Sequence, residues 1–256
     1  MTLAPPPEND RIVIQWTRRP EDAATLAARL TRMIEDFGRC DRRLDRWRES
    51  ALTQREASVP FSTSPPQVGA MTRRLAAARC LGAKGQPLTP PLFQLNLQNW
   101  AFGRPLELSA SIGEFARPDT ALPNRIDLVV PRTADTTPLL KPALLALIDA
   151  WAPIAGRIDP PGLSKRRNGR QRPRVEAGWV TYLAAPLARL VSPPADATRE
   201  PVADGGLLLS VGDQPFDASD GAALAVWRSI QDSLAVMETT WPYADAAASP
   251  NPESDR

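Results

Sequence analysis

Chemistry that depends on histidine is missing from this sequence, because its 256 residues include none. That removes the commonest general base and the Ser-His and Cys-His nucleophile pairs. The two cysteines, Cys40 and Cys80, stand far apart and form neither a disulfide framework nor a zinc site. The glycine segment 82–85 lacks the spacing and the following Ser or Thr of a phosphate loop. We therefore expect a protein that is not an enzyme and that holds no cofactor or metal.

Carboxylates offer one remaining route to catalysis. A magnesium-dependent nuclease places acidic residues near a lysine, but none of the three lysines has a glutamate two positions upstream. Asp127 and Glu176 could meet in the fold, although isolated carboxylates are typical of a solvated surface. A metal-dependent hydrolase is therefore a third hypothesis, and it requires three convergent carboxylates.

Basic residues are concentrated between positions 157 and 174, where seven of them accompany one acid, Asp159. They are Arg157, Lys165, Arg166, Arg167, Arg170, Arg172 and Arg174. Arginine forks can bind phosphates and release counterions, so a nucleic-acid-binding accessory protein that uses a basic loop at 157–174 is the alternative function. The run contains no aromatic residue for base stacking. Because Pro and Gly interrupt it, we interpret 160–174 as a solvated loop.

The C-terminal quarter has the opposite charge. From Asp196 onwards, eleven Asp and Glu residues face three arginines, although the whole chain carries a net charge of only +2. Four of these acids stand in or beside predicted turns: Asp204, Asp213, Asp217 and Asp220. The four aspartates could contact a basic partner, or they could form turns and cap a helix. We expect Asp217 or Ser219 to be the helix cap. Such charge asymmetry is typical of a protein that meets charged partners.

Hydrophobic periodicity predicts the elements that must position these residues. Strand patterns occur at 11–16, 92–98, 106–112, 125–130, 178–183 and 206–211. Helical patterns begin near Pro20, Ser64, Thr137 and Ser219 or Asp220, and the first is expected to stop at Gly38. The sequence therefore predicts an α+β fold, in which an antiparallel or mixed sheet of about five to six strands is covered by amphipathic helices.

Composition limits the domain organisation and the compartment. We expect a single domain over 11–238, with two subdomains meeting near 132–175 as the alternative. Residues 1–10 and 244–256 read as disordered tails, because they are small, polar and proline-containing. The first thirty residues lack the pattern of a signal peptide, and the chain has no run of 18 apolar residues. A cytoplasmic protein without a membrane partner is expected.

Several segments of the chain resemble the immunity protein 52 family. Trp16 and the helix after it resemble the family's start, and the segments 124–131 and 150–153 resemble its middle. The closest likeness lies between Gly178 and Leu234. The residues that carry the likeness in the C-terminal half are Trp151, Pro153, Gly178, Trp179, Tyr182, Leu183, Asp204, Gly205, Gly206, Phe216 and Asp217. Family members tend to have an Asn-Pro-like turn and a histidine after the Phe-Asp pair, where this chain reads Ala218 to Gly221.

The resemblance implies a function. Members of the family are bacterial antitoxins encoded beside polymorphic toxins, often nucleases with a restriction-endonuclease-like domain that type VI secretion delivers. It implies a cytoplasmic immunity protein that neutralises its cognate toxin domain by stoichiometric protein–protein binding. An acidic patch would suit the basic groove of a DNA-cutting toxin, which makes the four aspartates named above the toxin-binding candidates. The glycines and aromatics of the signature are expected to be structural.

Overall fold

The architecture is α+β and is built on one extended sheet. The computed structural model describes residues 8–17, 19, 21–50, 60–68, 70, 93–112, 124–163 and 175–237. Their strands are β1 (Asn9–Trp16), β2 (Arg48–Glu49), β3 (Phe93–Asn99), β4 (Leu106–Ile112), β5 (Asn124–Pro131), β6 (Ala155–Asp159), β7 (Val180–Leu183), β8 (Thr198–Pro201) and β9 (Leu207–Ser210). All nine pair antiparallel, in the order β2-β3-β4-β5-β1-β6-β7-β9-β8.

Four helices have both ends among the described residues. They are α1 (Ala23–Cys40), α2 (Leu140–Trp151), the single turn α3 (Ala185–Ala188) and α4 (Gly221–Ser233). Short 3₁₀ turns follow α1, precede α2 and follow α4, at Arg42–Asp45, Thr137–Leu139 and Leu234–Val236. Residues 65–68 and 70 are also helical, as the start predicted at Ser64 requires, and the rest of that predicted helix lies outside the described residues. None of these helices is both long enough and apolar enough to cross a membrane.

The first strand occupies the middle of the sheet, because β1 pairs with β5 on one side and with β6 on the other. Ile12, Ile14 and Trp16 alternate along it and are buried. Leu144 of α2 lies 3.3 Å from where a Cβ on Gly156 would stand, and the same position is 3.0 Å from Ile14. The helix α2 therefore covers this face of β1 and β6. On the same side of the sheet, Phe37 of α1 lines a cavity with Leu106 of β4 and Leu128 of β5, and we call this side the helix-covered face.

Stacked tryptophans fix the end of α2 on β1. The rings of Trp16 and Trp151 lie 5.4 Å apart, and the guanidinium of Arg19 lies 5.4 Å from the Trp16 ring. The C terminus of α2 leaves carbonyl groups without helical partners. Arg19 donates to the Trp151 carbonyl at 3.0 Å, and Arg29 donates to the Ala150 carbonyl at 2.8 Å. Both arginines also pair with the buried carboxylate of Glu21, so a salt bridge orients the two caps.

Helix boundaries agree with the predicted starts more closely than with the predicted stops. Asp22 caps α1 by accepting from the Thr25 amide, and Asp220 caps α4 by accepting from the Ala222 and Ala223 amides. The stop expected at Gly38 is wrong, since α1 continues to Cys40. Gly38 instead allows close packing, because a Cβ there would lie 3.2 Å from Asp45.

The expected count of five to six strands is too low, and the missed strands have recognisable reasons. β6 has both faces buried and therefore shows no alternation of apolar and polar residues. Its charged residues Arg157 and Asp159 made it resemble the start of a solvated loop. β2 has only two residues, and the edge strand β8 is polar and fully exposed. β1 also begins at Asn9 rather than Arg11, because Asp10 is buried against Arg132.

Candidate functional site

Charged side chains gather on the face of the sheet opposite the helix-covered face. Strand residues alternate between the two faces, so Arg11, Val13 and Gln15 point away from the helices that cover Ile12 and Ile14. The register places Val13 opposite both Asp127 of β5 and Arg157 of β6. The middle of the sheet thus brings charges from three strands onto one face, around a fully buried valine.

The first half of this arrangement is one carboxylate shared by two guanidinium groups. Arg11 Nε donates to Asp127 Oδ1 at 2.8 Å, while Arg125 donates through Nε to Oδ2 at 2.7 Å and through a terminal nitrogen to Oδ1 at 3.0 Å. The Asp127 side chain is 12% exposed, against 31% for Arg125 and 47% for Arg11. Charge-assisted pairs of this kind hold a guanidinium in one orientation.

The second half reverses that ratio, with one guanidinium between two carboxylates. Arg157 Nε donates to Asp159 Oδ2 at 2.9 Å, and a terminal nitrogen of Arg157 pairs with Glu176. Arg157 and Asp159 are each 7% exposed at the side chain, and Glu176 is 14% exposed. Buried ions remain charged only when they are paired, so the three groups depend on one another.

The two halves are electrostatically coupled, and we call the six residues the Arg–Asp cluster. Burial opposes the charged form of Arg125, but the hydrogen bond to Asp127 and the charges of Asp127, Glu176 and Asp159 outweigh it and raise the pKa of Arg125. The formal charges of the cluster's three arginines and three acids sum to zero. The charge is unevenly placed, however: the Arg11–Asp127–Arg125 half carries +1, and the other half carries −1.

Polar side chains extend the Arg–Asp cluster across β4 and β3. Ser109 lies opposite Asp127, Glu107 lies opposite Val129, and Asn96 lies opposite Ser109. Ser109 and Glu107 are exposed, and Asn96 is half-buried. We call this surface the polar sheet face, and it consists of Arg11, Asn96, Glu107, Ser109, Ser111, Arg125, Asp127 and Val129.

Sequence interpretation missed this site, although a signal for it exists. Arg125-Ile126-Asp127 and Arg157-Ile158-Asp159 are the same tripeptide, and Arg11-Ile12 begins a third copy that ends in valine. Charged residues two apart on a strand share a face, with the isoleucine on the other face. β5 and β6 flank β1, so the repeated tripeptide places both ion pairs on one surface. Asp127 and Glu176, expected to be solvated surface, are instead ion-paired in the interior.

The four aspartates predicted to bind a toxin are divided between the two ends of β9. Asp204 precedes β9 and Asp213 follows it, so the four residues of that strand separate them by about 13 Å of extended chain. Asp217 and Asp220 also follow β9, and all four aspartates are exposed. Their role in binding a toxin stays a prediction.

Three of these aspartates have local structural contacts. Asp204 accepts hydrogen bonds from the Tyr182 hydroxyl and the Gly206 amide. Asp217 accepts from the amide and hydroxyl of Ser219, and these bonds lower the pKa of Asp217. Asp220 is the N-cap of α4. Turn formation and capping account for Asp204, Asp217 and Asp220, and leave the exposed Asp213 as a candidate contact.

The signature residues belong to the interior of the C-terminal half. Trp151, Pro153, Trp179, Tyr182, Leu183 and Phe216 are all buried. A Cβ on Gly178 would lie 2.4 Å from the Ile158 carbonyl oxygen, and one on Gly206 would lie 2.7 Å from the Leu183 carbonyl oxygen. Gly205 has a φ of +82°, which favours glycine. Burial and the hydrogen bond to Asp204 both raise the pKa of Tyr182, so its hydroxyl remains a donor.

The seven basic residues of 157–174 do not all belong to one loop. Arg157 belongs to β6 and is buried in the Arg–Asp cluster, so it is not part of a solvated basic loop. The other six basic residues, within 164–174, lie outside the described residues. They follow Leu163 and precede Val175, both of which are buried.

Among the described residues, no group of three acids or cysteines could hold a metal ion. A small apolar cavity of about 10 Å³ lies between α1, α2 and the strands β4 and β5, lined by residues that include Phe37, Trp47 and Leu128. A cavity of that size has room for about one water molecule.

Comparisons with known proteins identify a shared fold. No protein-family model matches the chain, and no curated protein matches its sequence. The resemblance to the immunity protein 52 family therefore stays a hypothesis. The structure is similar to that of the Pseudomonas aeruginosa T6SS protein PA0821, with a TM-score of 0.50, 11% sequence identity, and coverage of 88% of this chain and 73% of that one. At 11% identity, this similarity concerns the fold.

Proposed function

We propose that this protein is a cytoplasmic immunity protein that binds and neutralises a cognate bacterial toxin by stoichiometric protein–protein binding. The observation that supports it most is the fold shared with a type VI secretion system protein of Pseudomonas aeruginosa over 88% of the chain. The resemblance of the C-terminal half to the immunity protein 52 family supports the immunity role. The toxin is proposed to be a nuclease with a restriction-endonuclease-like domain, delivered by a type VI-like system.

The described residues suit a binding role. Inhibition by binding requires a rigid surface, and the exposed polar face of a sheet with a continuous hydrophobic core supplies one. Each carboxylate of the Arg–Asp cluster is paired with an arginine, which orients the side chains. A standard interface of roughly 1,200–2,000 Å² would fit such a face.

Co-expression tests the proposal. A reading frame that flanks this gene is tested as the cognate toxin: it is induced in a bacterial host with the present protein, with an empty vector, or with the Gly178→Trp variant as an unfolded control. We expect survival only with the folded protein, together with intact chromosomal DNA if the toxin is a nuclease. Cells that die at the same rate with and without the protein would contradict the proposal.

A further inference from the structure

We infer that the polar sheet face is the surface that receives the toxin, and that Arg11 and Arg125 bind a carboxylate side chain of that partner there. The inference rests on the proposed function and names the surface and the chemistry of the contact. It replaces the four aspartates as the centre of the interface.

The hydrogen bond from Arg11 to Asp127 uses only one of the N–H donors of this side chain. Within the described residues Arg11 donates through Nε alone, to Asp127, and its side chain is 47% exposed. A guanidinium has five N–H donors in a planar fork that matches a carboxylate. The terminal nitrogens of Arg11 are therefore available to a partner, while Asp127 holds the group in place.

Local charge favours an acidic partner group. Two guanidiniums share the single carboxylate of Asp127, so this half of the Arg–Asp cluster carries a surplus of one positive charge. A carboxylate from the partner would balance it and would be desolvated by the interface. Arginine is one of the residues that dominate binding energy when it is held near the centre of an interface.

The same face disfavours a nucleic acid. A phosphate backbone brings several negative charges in a row and is bound by several basic side chains. Glu107 is exposed on this face two strands from Arg11, and Asp159 lies opposite Arg11 on β6. These acids would repel an extended polyanion, whereas a single carboxylate between Arg11 and Arg125 avoids them.

Ser109 is a second position at which the polar sheet face can be tested by substitution. It is exposed, lies opposite Asp127 across the β4–β5 pair, and has a small side chain. A bulky substitution there would obstruct any protein that docks on the polar sheet face without removing a charge. Arg32 is the matched control, because it is an exposed arginine, 57% accessible and paired with Asp149, on the helix α1.

The experiment measures the affinity of the purified full-length protein for a catalytically inactive form of the toxin encoded beside it, by isothermal titration calorimetry. We expect Arg11→Ala and Ser109→Tyr each to weaken binding by about tenfold or more, Arg11→Lys to restore part of the loss, and Arg32→Ala to change nothing. Thermal unfolding of each variant shows that it is folded.

The outcomes separate the two proposals. If Arg11→Ala and Ser109→Tyr bind like the wild type, the docking surface is wrong and the proposed function stands. If the wild type does not bind the toxin, the proposed function fails and the surface with it. Retention of duplex DNA by the wild type that is lost in Arg11→Ala would overturn the carboxylate partner.

Discussion

Arg157 is the residue on which the buried half of the Arg–Asp cluster depends. It pairs with both Asp159 and Glu176, and its side chain is 7% exposed. Without it, each of these two carboxylates would lose an ion pair in a largely desolvated site. Loss of one partner from a buried ion pair is costly even though a whole pair adds little stability.

Replacing Arg157 with methionine, which keeps most of the volume, is expected to lower the free energy of unfolding by about 3–5 kcal/mol. Urea denaturation followed by tryptophan fluorescence measures it. The control Arg32→Ala breaks an exposed pair with Asp149 and is expected to cost at most about 1 kcal/mol. Equal losses in the two variants would mean that the Arg157 pairs are not buried as described.

Glycine substitutions test the role of the signature residues. Gly178→Ala would place a Cβ 2.4 Å from the Ile158 carbonyl oxygen, a backbone atom that cannot move aside without disturbing β6. Gly221→Ala, at the first residue of α4, meets nothing within 4 Å. We expect Gly178→Ala to lower the melting temperature strongly. Gly221→Ala is expected to leave the stability equal or to raise it by about 0.4–1 kcal/mol, with a melting temperature equal to or slightly above that of the wild type. A tolerated Gly178→Ala would remove the structural explanation of that glycine.

At the scale of elements, the cap of α1 contributes to the response of this chain to acid. The side chain of Asp22 caps α1, and its hydrogen bonds to Thr25 lower the pKa of Asp22 below its ordinary value of 3.8. The folded state therefore binds fewer protons than the unfolded state in the window just below 3.8, and stability rises with pH there. The contribution is complete above the ordinary value and is lost as the pH falls through the folded pKa.

Asp22→Asn separates capping from titration. Asparagine caps a helix about as well as aspartate but carries no charge. The variant is expected to match the wild type near neutral pH and to lose less stability between about pH 4 and pH 2, because its cap does not titrate. The urea midpoint across that range is the measurement. An unchanged acid slope would show that other carboxylates, such as Asp41 and Asp217, determine it.

The cap of α4 tests whether Asp220 serves structure or recognition. Asp220→Ala removes the acceptor for two helix amides and is expected to cost about 0.5–2 kcal/mol of stability. Its affinity for the toxin should equal that of the wild type, since the polar sheet face is untouched. Calorimetry with the inactive toxin measures this. A large loss of affinity in a stable Asp220→Ala protein would return the aspartates to the interface.

Strands with an apolar pattern were predictable, and the charged interior strand β6 was not. β3, β4 and β5 were found at nearly their true positions, and β7 was found although all four of its residues are buried. β6 carries Arg157 and Asp159 inside the fold, where only tertiary pairing makes charged residues acceptable. Periodicity has no access to such pairing, so it assigned Arg157 to a loop.

At the scale of the whole molecule, the class of fold could be predicted and the site could not. Amphipathic helices and alternating strands define an α+β protein whatever the order of its strands. The site depends on that order, because β1 must lie between β5 and β6 before the two Arg-Ile-Asp segments meet. Similarly, the four aspartates are close together in the sequence, but Asp204 precedes β9 and the other three follow it.

The whole-molecule claim is that the protein acts by occupying a toxin, and an inhibition titration tests it most directly. A fixed amount of the purified active toxin encoded beside the gene is mixed with increasing amounts of the full-length protein, and residual toxin activity is measured. We expect a linear fall to complete inhibition at a fixed molar ratio, with a stable complex in size-exclusion chromatography. Full toxin activity at a large excess of the protein, with the two eluting separately, would contradict it.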